Sequence, residues 1–404
     1  MTAPPYDVLS PAQRDEYAAR SPYNIVHLTL PEAKTDDRSK YVKYARSSAE
    51  LAEWRRNDVL LPEGEPAFYR YVQTFMIPYT QEQVVRTAVI ALIKTEPYES
   101  GVVLPHEETF PKHKEDRLRI LEATRAHLEC IYGLFEDPDQ SVYRAISEAV
   151  AGTPVETTSD DGVEHLLEPI TDESACRKLA EMLADKKVWI ADGHHRYETA
   201  RTFREMQGER DGLIAEDFMM MALSSMSDPG LVLLPTHRIL STMPITGEEL
   251  VAKLSTVFDV KETHSSRVMT EIEQIAANGG KALGLALEGG RGYTLTVRDV
   301  TGLTAMIPGN FSPELKSLDV TILHSIILEQ LAGVRGYDAI SYTRDPNEAT
   351  RLADEGAAAA FLMNPPSVED MRSIALGGEK MPQKSTYYYP KILSGLVLWS
   401  LNDF

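Results

Sequence analysis

Short apolar runs and helical patterns follow one another along most of this chain. Phe68 to Ile77 carries aromatics at alternate positions, Tyr69 and Tyr71, and predicts a strand; Val84 to Lys94 predicts a second, strongly apolar one. Ser39 to Asn57 predicts a polar amphipathic helix packing through Tyr41, Tyr44, Leu51 and Trp54. Lys114 to Tyr132 predicts another helix, with Pro138 soon after it. Gly152 to Glu164, rich in Thr, Asp and Gly, predicts a turn or hairpin. Ile214 to Ser225, with three adjacent methionines at Met219 to Met221, predicts a buried strand. Ahead of all these, Pro11, Pro22 and Pro31 break the N-terminal region into short pieces.

Near Met243 to Gly247 the character changes. Helical patterns at Glu248 to Leu254, Ser266 to Ala277, Val320 to Leu331, Asn347 to Glu355 and Val368 to Ala375 alternate with strand-like runs. Those runs are Ala282 to Glu288, Tyr293 to Val297 and Ala357 to Met363. The pattern predicts an α+β (mixed α/β) fold in two domains, 1–245 and 246–404. No solenoid or propeller period and no low-complexity segment is evident.

One junction stands out. The apolar run Val188 to Ala191 ends in Asp192-Gly193, and a helical pattern follows with Tyr197, Ala200, Phe203 and Met206 on one face. His194, His195 and Arg196 thus fall at a helix N-terminus, where backbone N–H groups lack helix partners and the dipole end is positive. That combination suits a phosphate. The same residues would also serve as an ordinary cap, turn and exposed imidazoles. A shared metal ion fits least, because adjacent helical positions point about 100° apart.

Charge narrows the partners. With 41 Lys and Arg against 61 Asp and Glu, the net charge is −20, which repels nucleic acid. No apolar run is long enough to span a bilayer, and no signal-peptide pattern opens the chain. The two cysteines, Cys130 and Cys176, fit no disulfide or metal spacing and suit a reducing cytoplasm. Nucleic acid and membrane are therefore not expected as partners, and a homodimer is the candidate assembly.

Other clusters are weaker alone. His106-Glu107-Glu108-Thr109 ends a strand-like run, and Lys112, His113, Lys114, Asp116 and Arg117 open the following helix. They offer a general base, Glu107, and cations for an anionic substrate, or simply a solvated loop. Leu234-Pro235-Thr236-His237-Arg238 places a His–Arg pair in a loop. Gly377 to Thr386, with Lys384, Ser385 and Thr386, has the chemistry of an anion-binding flap without Walker-loop spacing. There is no G-x-S-x-G elbow, H-E-x-x-H helix or Rossmann glycine fingerprint.

Asp192-Gly193-His194-His195-Arg196 with Ala200 resembles the phosphate-binding turn of the ParB/sulfiredoxin superfamily, in the form similar to its free-serine kinases. Over nearly its whole length the chain also resembles the domain-of-unknown-function family ten-fifteen. The matching residues there are Pro5 to Leu9, Pro105-His106-Glu107 with Thr109, Lys114 with Asp116-Arg117, and the central motif. Asp228 to Leu231, Leu234 to Arg238, Leu318-Asp319-Val320 and Met381 to Thr386 complete the set. The stretch that usually precedes the Pro5-Tyr6-Asp7 element is nearly absent here, and the C-terminal portion has no counterpart in the free-serine kinases. Sulfiredoxin's redox chemistry needs a cysteine where His194 stands, and ParB-type DNA binding conflicts with the charge.

The resemblance implies a ParB/sulfiredoxin-like N-terminal and central domain, closed by the C-terminal α/β domain. It implies a nucleotide-dependent phosphotransferase acting on a small hydroxyl metabolite, best matched by free L-serine giving O-phosphoserine. Gly193, His194, His195 and Arg196 would hold the phosphates of ATP or ADP, with Mg²⁺ near Asp192 and Glu107 as base. His106, Lys114, Arg117, Thr236, His237, Arg238, Lys384, Ser385 and Thr386 would bind substrate, with Arg117, Arg238 or Lys384 taking its carboxylate. A phosphatase of phosphoserine or a related ester, and a non-catalytic nucleotide sensor, are the alternatives.

Overall fold

The computed structural model describes residues 1–107 and 111–404, with the side chains of 111–113 outside that description. The chain forms two compact units. The first comprises Met1–Pro105, Thr109–Val232 and Pro390–Phe404; the second comprises His106–Glu108 and Leu233–Tyr389. Both mix helices with sheet, so the fold class is α+β.

The first unit is built on an eight-stranded mixed sheet. Its strands are β1 (Phe68–Met76), β2 (Gln83–Lys94), β3 (Val103–Leu104), β4 (Ile131–Phe135), β5 (Val155–Thr158), β6 (Glu164–Ile170), β7 (Val188–Asp192) and β8 (Phe218–Ser225). They lie in the order β3-β7-β4-β8-β2-β1-β6-β5. Only β3/β7 and β4/β8 run parallel within it. The inner strands carry continuous apolar runs because both faces are covered. Val89, Ile131, Phe135, Ile190, Met219, Met221 and Leu223 share a core with Val142, Ile146 and Leu179 of two helices, Ser141–Glu148 and Glu173–Leu183. The three methionines are strand core, as expected.

The N-terminal region does fall into short pieces, and Pro11 marks one boundary as the first residue of the helix Pro11–Arg20, where its fixed φ suits the start and Ser10 and Gln13 close a capping box around it. One expectation is corrected in this unit. The helix expected over Lys114 to Tyr132 ends at Thr124. Arg125 leaves it at φ 52°, and the apolar residues from Ile131 onward join the sheet as fully buried β4. A short apolar run has no helical or strand signature of its own when every position is buried.

The second unit is an antiparallel six-stranded sheet with β9 (His237–Leu240), β10 (Phe258–His264), β11 (Ala282–Leu287), β12 (Arg291–Val297), β13 (Ile340–Thr343) and β14 (Ala359–Leu362). The order is β10-β12-β11-β14-β9-β13. Val268 and Ile272 of helix Ser265–Ala277 and Ala349 and Ala353 of helix Pro346–Asp354 pack on Ala282, Ala286 and Ala360. The His237–Arg238 pair, expected in a loop, opens strand β9, and Arg238 lies opposite Tyr342 of β13. The helix expected over Val320 to Leu331 is a single α-turn, Asp319–Ile322, continued by wide i→i+5 turns over Leu323–Ala332. Among the described residues, no helix is long and apolar enough to cross a membrane.

Candidate functional site

The central motif of the first unit sits where β7 ends. Asp192 lies opposite Tyr132, next to a register shift in β4, and Gly193 turns the chain into helix His194–Met206. Gly193 has φ 97°, and a Cβ there would lie 3.0–3.2 Å from the Arg196 guanidinium. Only glycine meets both demands. Being glycine, it contributes no capping side chain, so the amides of the first turn face outward from the helix end without one. His194 is buried and His195 half-buried. Tyr197, Ala200 and Phe203 pack inward as expected, whereas Met206 is 55% exposed in the last turn.

Beneath the turn lies a buried ion network. Arg196 donates from Nη1 to the Cys130 carbonyl at 2.8 Å and from Nη2 to Asp192 at 2.7 Å. The other oxygen of Asp192 accepts from Lys391 Nζ at 2.6 Å. All three side chains are less than a fifth exposed. Burial pushes the Asp192 carboxyl up, but the Lys391 and Arg196 charges outweigh it and hold the group well below its ordinary range. Burial opposes the Arg196 charge, and Glu129 and Asp192 more than restore it. Lys391 had no signal in the sequence, since its partner is 199 positions away. As arranged, Asp192 does not fit a direct Mg²⁺ ligand, because each of its oxygens already accepts from a cation. No group of three His, Cys, Asp or Glu suited to a metal occurs among the described residues.

The other candidate cations of this unit are engaged within it. Lys114 pairs with Glu198 of the motif helix. Arg117 donates to the Thr29 carbonyl at 2.7 Å, pairs with Asp116, and lies 3.9 Å over the Tyr6 ring. Asp228 accepts from Thr87 N and Gly230 N, while a Cβ at Gly230 would meet Val85 O at 2.2 Å. The Asp228-Pro229-Gly230 element is therefore a turn that seals against β2.

The second unit gathers the remaining candidates. His106 accepts from Met381 N through its carbonyl and lies 2.8 Å from Thr386 Oγ1 through Nε2. Glu107 accepts from the Lys384 amide at 3.0 Å. Arg238 donates to the Lys384 carbonyl at 3.0 Å and to the Thr236 carbonyl. His106, Glu107, Thr236, Arg238, Lys384, Ser385 and Thr386, chosen from three separate segments, thus meet in one place. The Lys384 side chain is exposed, and Ser385 turns inward to Pro382 O. His237 faces its own strand neighbours, accepting from Met363 N at 3.1 Å, with burial pushing its pKa down to about 4. Glu108 and Thr109 lie outside the described residues, as do the side chains of Lys112 and His113.

Tyr342 joins this cluster unannounced, lying 5.6 Å from the Arg238 guanidinium, and the Arg238 charge is felt at His324 on the wide-turned helix. Burial, and secondarily the Arg238 charge, push His324 down to about 3, so it is neutral at pH 7. His324 sits in the apolar stretch Leu323 to Leu331, where a lone imidazole carries no sequence signal.

The chain is thus an α+β protein with a strand–turn–helix motif in one unit and, separately, a cluster around the buried Arg238 in the other. The family described as a protein of unknown function, DUF1015, matches residues 1–321, and the chain belongs to it. No curated protein matches. Among solved structures, the chain is similar to a free serine kinase variant in complex with ADP. They share 14% identity over 74% of this chain and 87% of that one, with a TM-score of 0.37. It is also similar to a conserved hypothetical protein from Pyrococcus furiosus, at 14% identity over 78% and 96%, TM-score 0.37. A C-terminally truncated SbnI from Staphylococcus aureus is similar at 10% identity over 76% and 85%, TM-score 0.37.

Proposed function

We propose that the chain is a nucleotide-dependent phosphotransferase acting on a small hydroxyl metabolite, with free L-serine as the acceptor and O-phosphoserine as the product. The observation that supports this reading is the Asp192–Arg196 turn. Its glycine start supplies no capping side chain, and the helix N-terminus with His195 in its first turn suits a phosphate chain. In this reading Arg196 does not float as a ligand. Together with Asp192 and Lys391 it locks the turn in shape from below, so that the amides are preorganised before a nucleotide binds. Mg²⁺ arrives with ATP or ADP as part of the substrate, and no protein carboxylate is assigned to it.

Transfer forms one O–P bond to the acceptor hydroxyl and breaks the O–P bond to the leaving nucleotide. The test is phosphorus NMR of the protein with Mg²⁺, ATP or ADP, and L-serine. A new phosphomonoester signal is expected, and His195→Ala should lower turnover about 100-fold or more with an unchanged circular-dichroism spectrum. Full activity in that variant removes the phosphate assignment. Release of inorganic phosphate from phosphoserine without any nucleotide points to a phosphatase instead, and tight nucleotide binding with no turnover to a sensor.

A further inference from the structure

Arg238 is 2% exposed, yet among the described residues it makes no ion pair, and its Nε has no hydrogen-bond partner there. Its other nitrogens are satisfied only by carbonyls, those of Thr236, Gln383 and Lys384. A buried cation without an anion is costly, and burial pulls this guanidinium down to about 10. Two of these three carbonyls come from one loop, and Lys384 in it holds φ 57°, a conformation that non-glycine residues seldom adopt.

Lys384 also spans two groups at once. Its carbonyl accepts from Arg238 while its amide donates to Glu107. One residue therefore offers an oxygen to a buried cation and an N–H to a carboxylate. A small hydroxy acid would offer an acid oxygen and an O–H in the same sense. The Tyr342 ring lies 5.6 Å from the guanidinium, and the Arg238 charge also reaches His324, on a helical stretch of wide turns, a geometry frequent at functional sites.

We infer that Lys384 occupies, with its own peptide groups, the place of a small hydroxy or amino acid, whose carboxylate would bind Arg238 and whose hydroxyl would donate to Glu107. Binding displaces the loop carbonyls from the guanidinium and gives the buried charge its counter-ion as a bidentate pair. A monoanion fits better than a phosphate dianion, because one guanidinium faces it, His324 is neutral, and the Glu107 charge acts on the same spot. This inference rests on the reading that the acceptor is a small hydroxyl metabolite, and it names the acid group as the feature recognised.

The test is calorimetric titration of the full chain, without nucleotide, with L-serine, L-serinamide, ethanolamine and inorganic phosphate. L-Serine is expected to bind, and the two probes lacking the acid to bind about tenfold more weakly or worse. Arg238→Lys should cost a similar factor; should that variant fail to fold, Tyr342→Leu, which removes the ring 5.6 Å from the guanidinium, should weaken L-serine without changing the thermal midpoint much. A merely structural Arg238 would leave the acid-against-amide discrimination at unity. Equal binding of L-serinamide, tighter binding of phosphate, or no binding of L-serine up to about 10 mM overturns the inference. Binding of L-serine with no phosphoester formed from any nucleotide leaves the pocket standing and removes the phosphotransferase reading alone.

Discussion

Arg196 of the first unit and Arg238 of the second both keep a guanidinium largely out of water, and they are treated in opposite ways. Arg196 has a carboxylate at 2.7 Å, and that carboxylate has a second cation on its other side. Arg238 has only carbonyls and a ring. The first guanidinium has its counter-charge from its own unit, although its Nε, like that of Arg238, has no hydrogen-bond partner among the described residues. The second lacks a counter-charge among those residues, and a ligand can supply it. Burial of charge alone thus says little about function; whether the counter-charge is supplied by the chain says more.

The comparison breaks most sharply at Asp192. Asp192→Ala strands two buried cations and should cost about 3–5 kcal/mol in denaturant unfolding. A loss near zero would mean that the network is not a brace. Lys391→Met leaves Arg196 as partner and should cost less, about 1–3 kcal/mol. Because the folded pKa of Asp192 is depressed, its contribution is present above the unfolded value of about 4 and is lost as pH falls through the folded value. Gly193→Ala forces a Cβ against the guanidinium at positive φ and should cost about 1–3 kcal/mol, with a larger loss of nucleotide binding than of fold.

Both units share a smaller, graded response to acid. His127 and His165 in the first and His237 in the second are held neutral by burial, each near pKa 4. Their folded pKa values lie below the unfolded value of about 6.5, so protonation favours the unfolded chain. Stability should fall as pH drops from about 6.5 towards 4, by at most about 1.4 kcal/mol per unit for each group. Unfolding curves at pH 7 and pH 5 check this. The smallest effect belongs to Lys384→Ala. Its ammonium is exposed, so stability should change by less than about 0.5 kcal/mol, and L-serine affinity should hold if the peptide groups, not the side chain, mark the pocket.

What the sequence disclosed follows the same physics. Strands with alternating aromatics, helices with capping signals and the Asp192–Arg196 turn were legible because each writes a local pattern. Edge strands did not: β10 buries only Phe258, so its alternation is faint, and β13 is four residues long. The gathering of His106, Glu107, Arg238 and Lys384 was legible only as separate motifs. Lys391, His324 and Tyr342 were silent, since a single polar residue acquires meaning only from partners far along the chain.

The last fifteen residues of the first unit arrive after the whole second unit has been written. Pro390 to Phe404 returns to accept from Arg86 and Gln73 through Pro390 O and Lys391 O, and carries the ammonium that Asp192 needs. A nascent chain emerging from the ribosome therefore holds its eight strands for roughly 165 residues of further synthesis with Asp192 and Arg196 lacking their third member. The brace under the Asp192–Arg196 turn is thus completed only after the second unit has been synthesised.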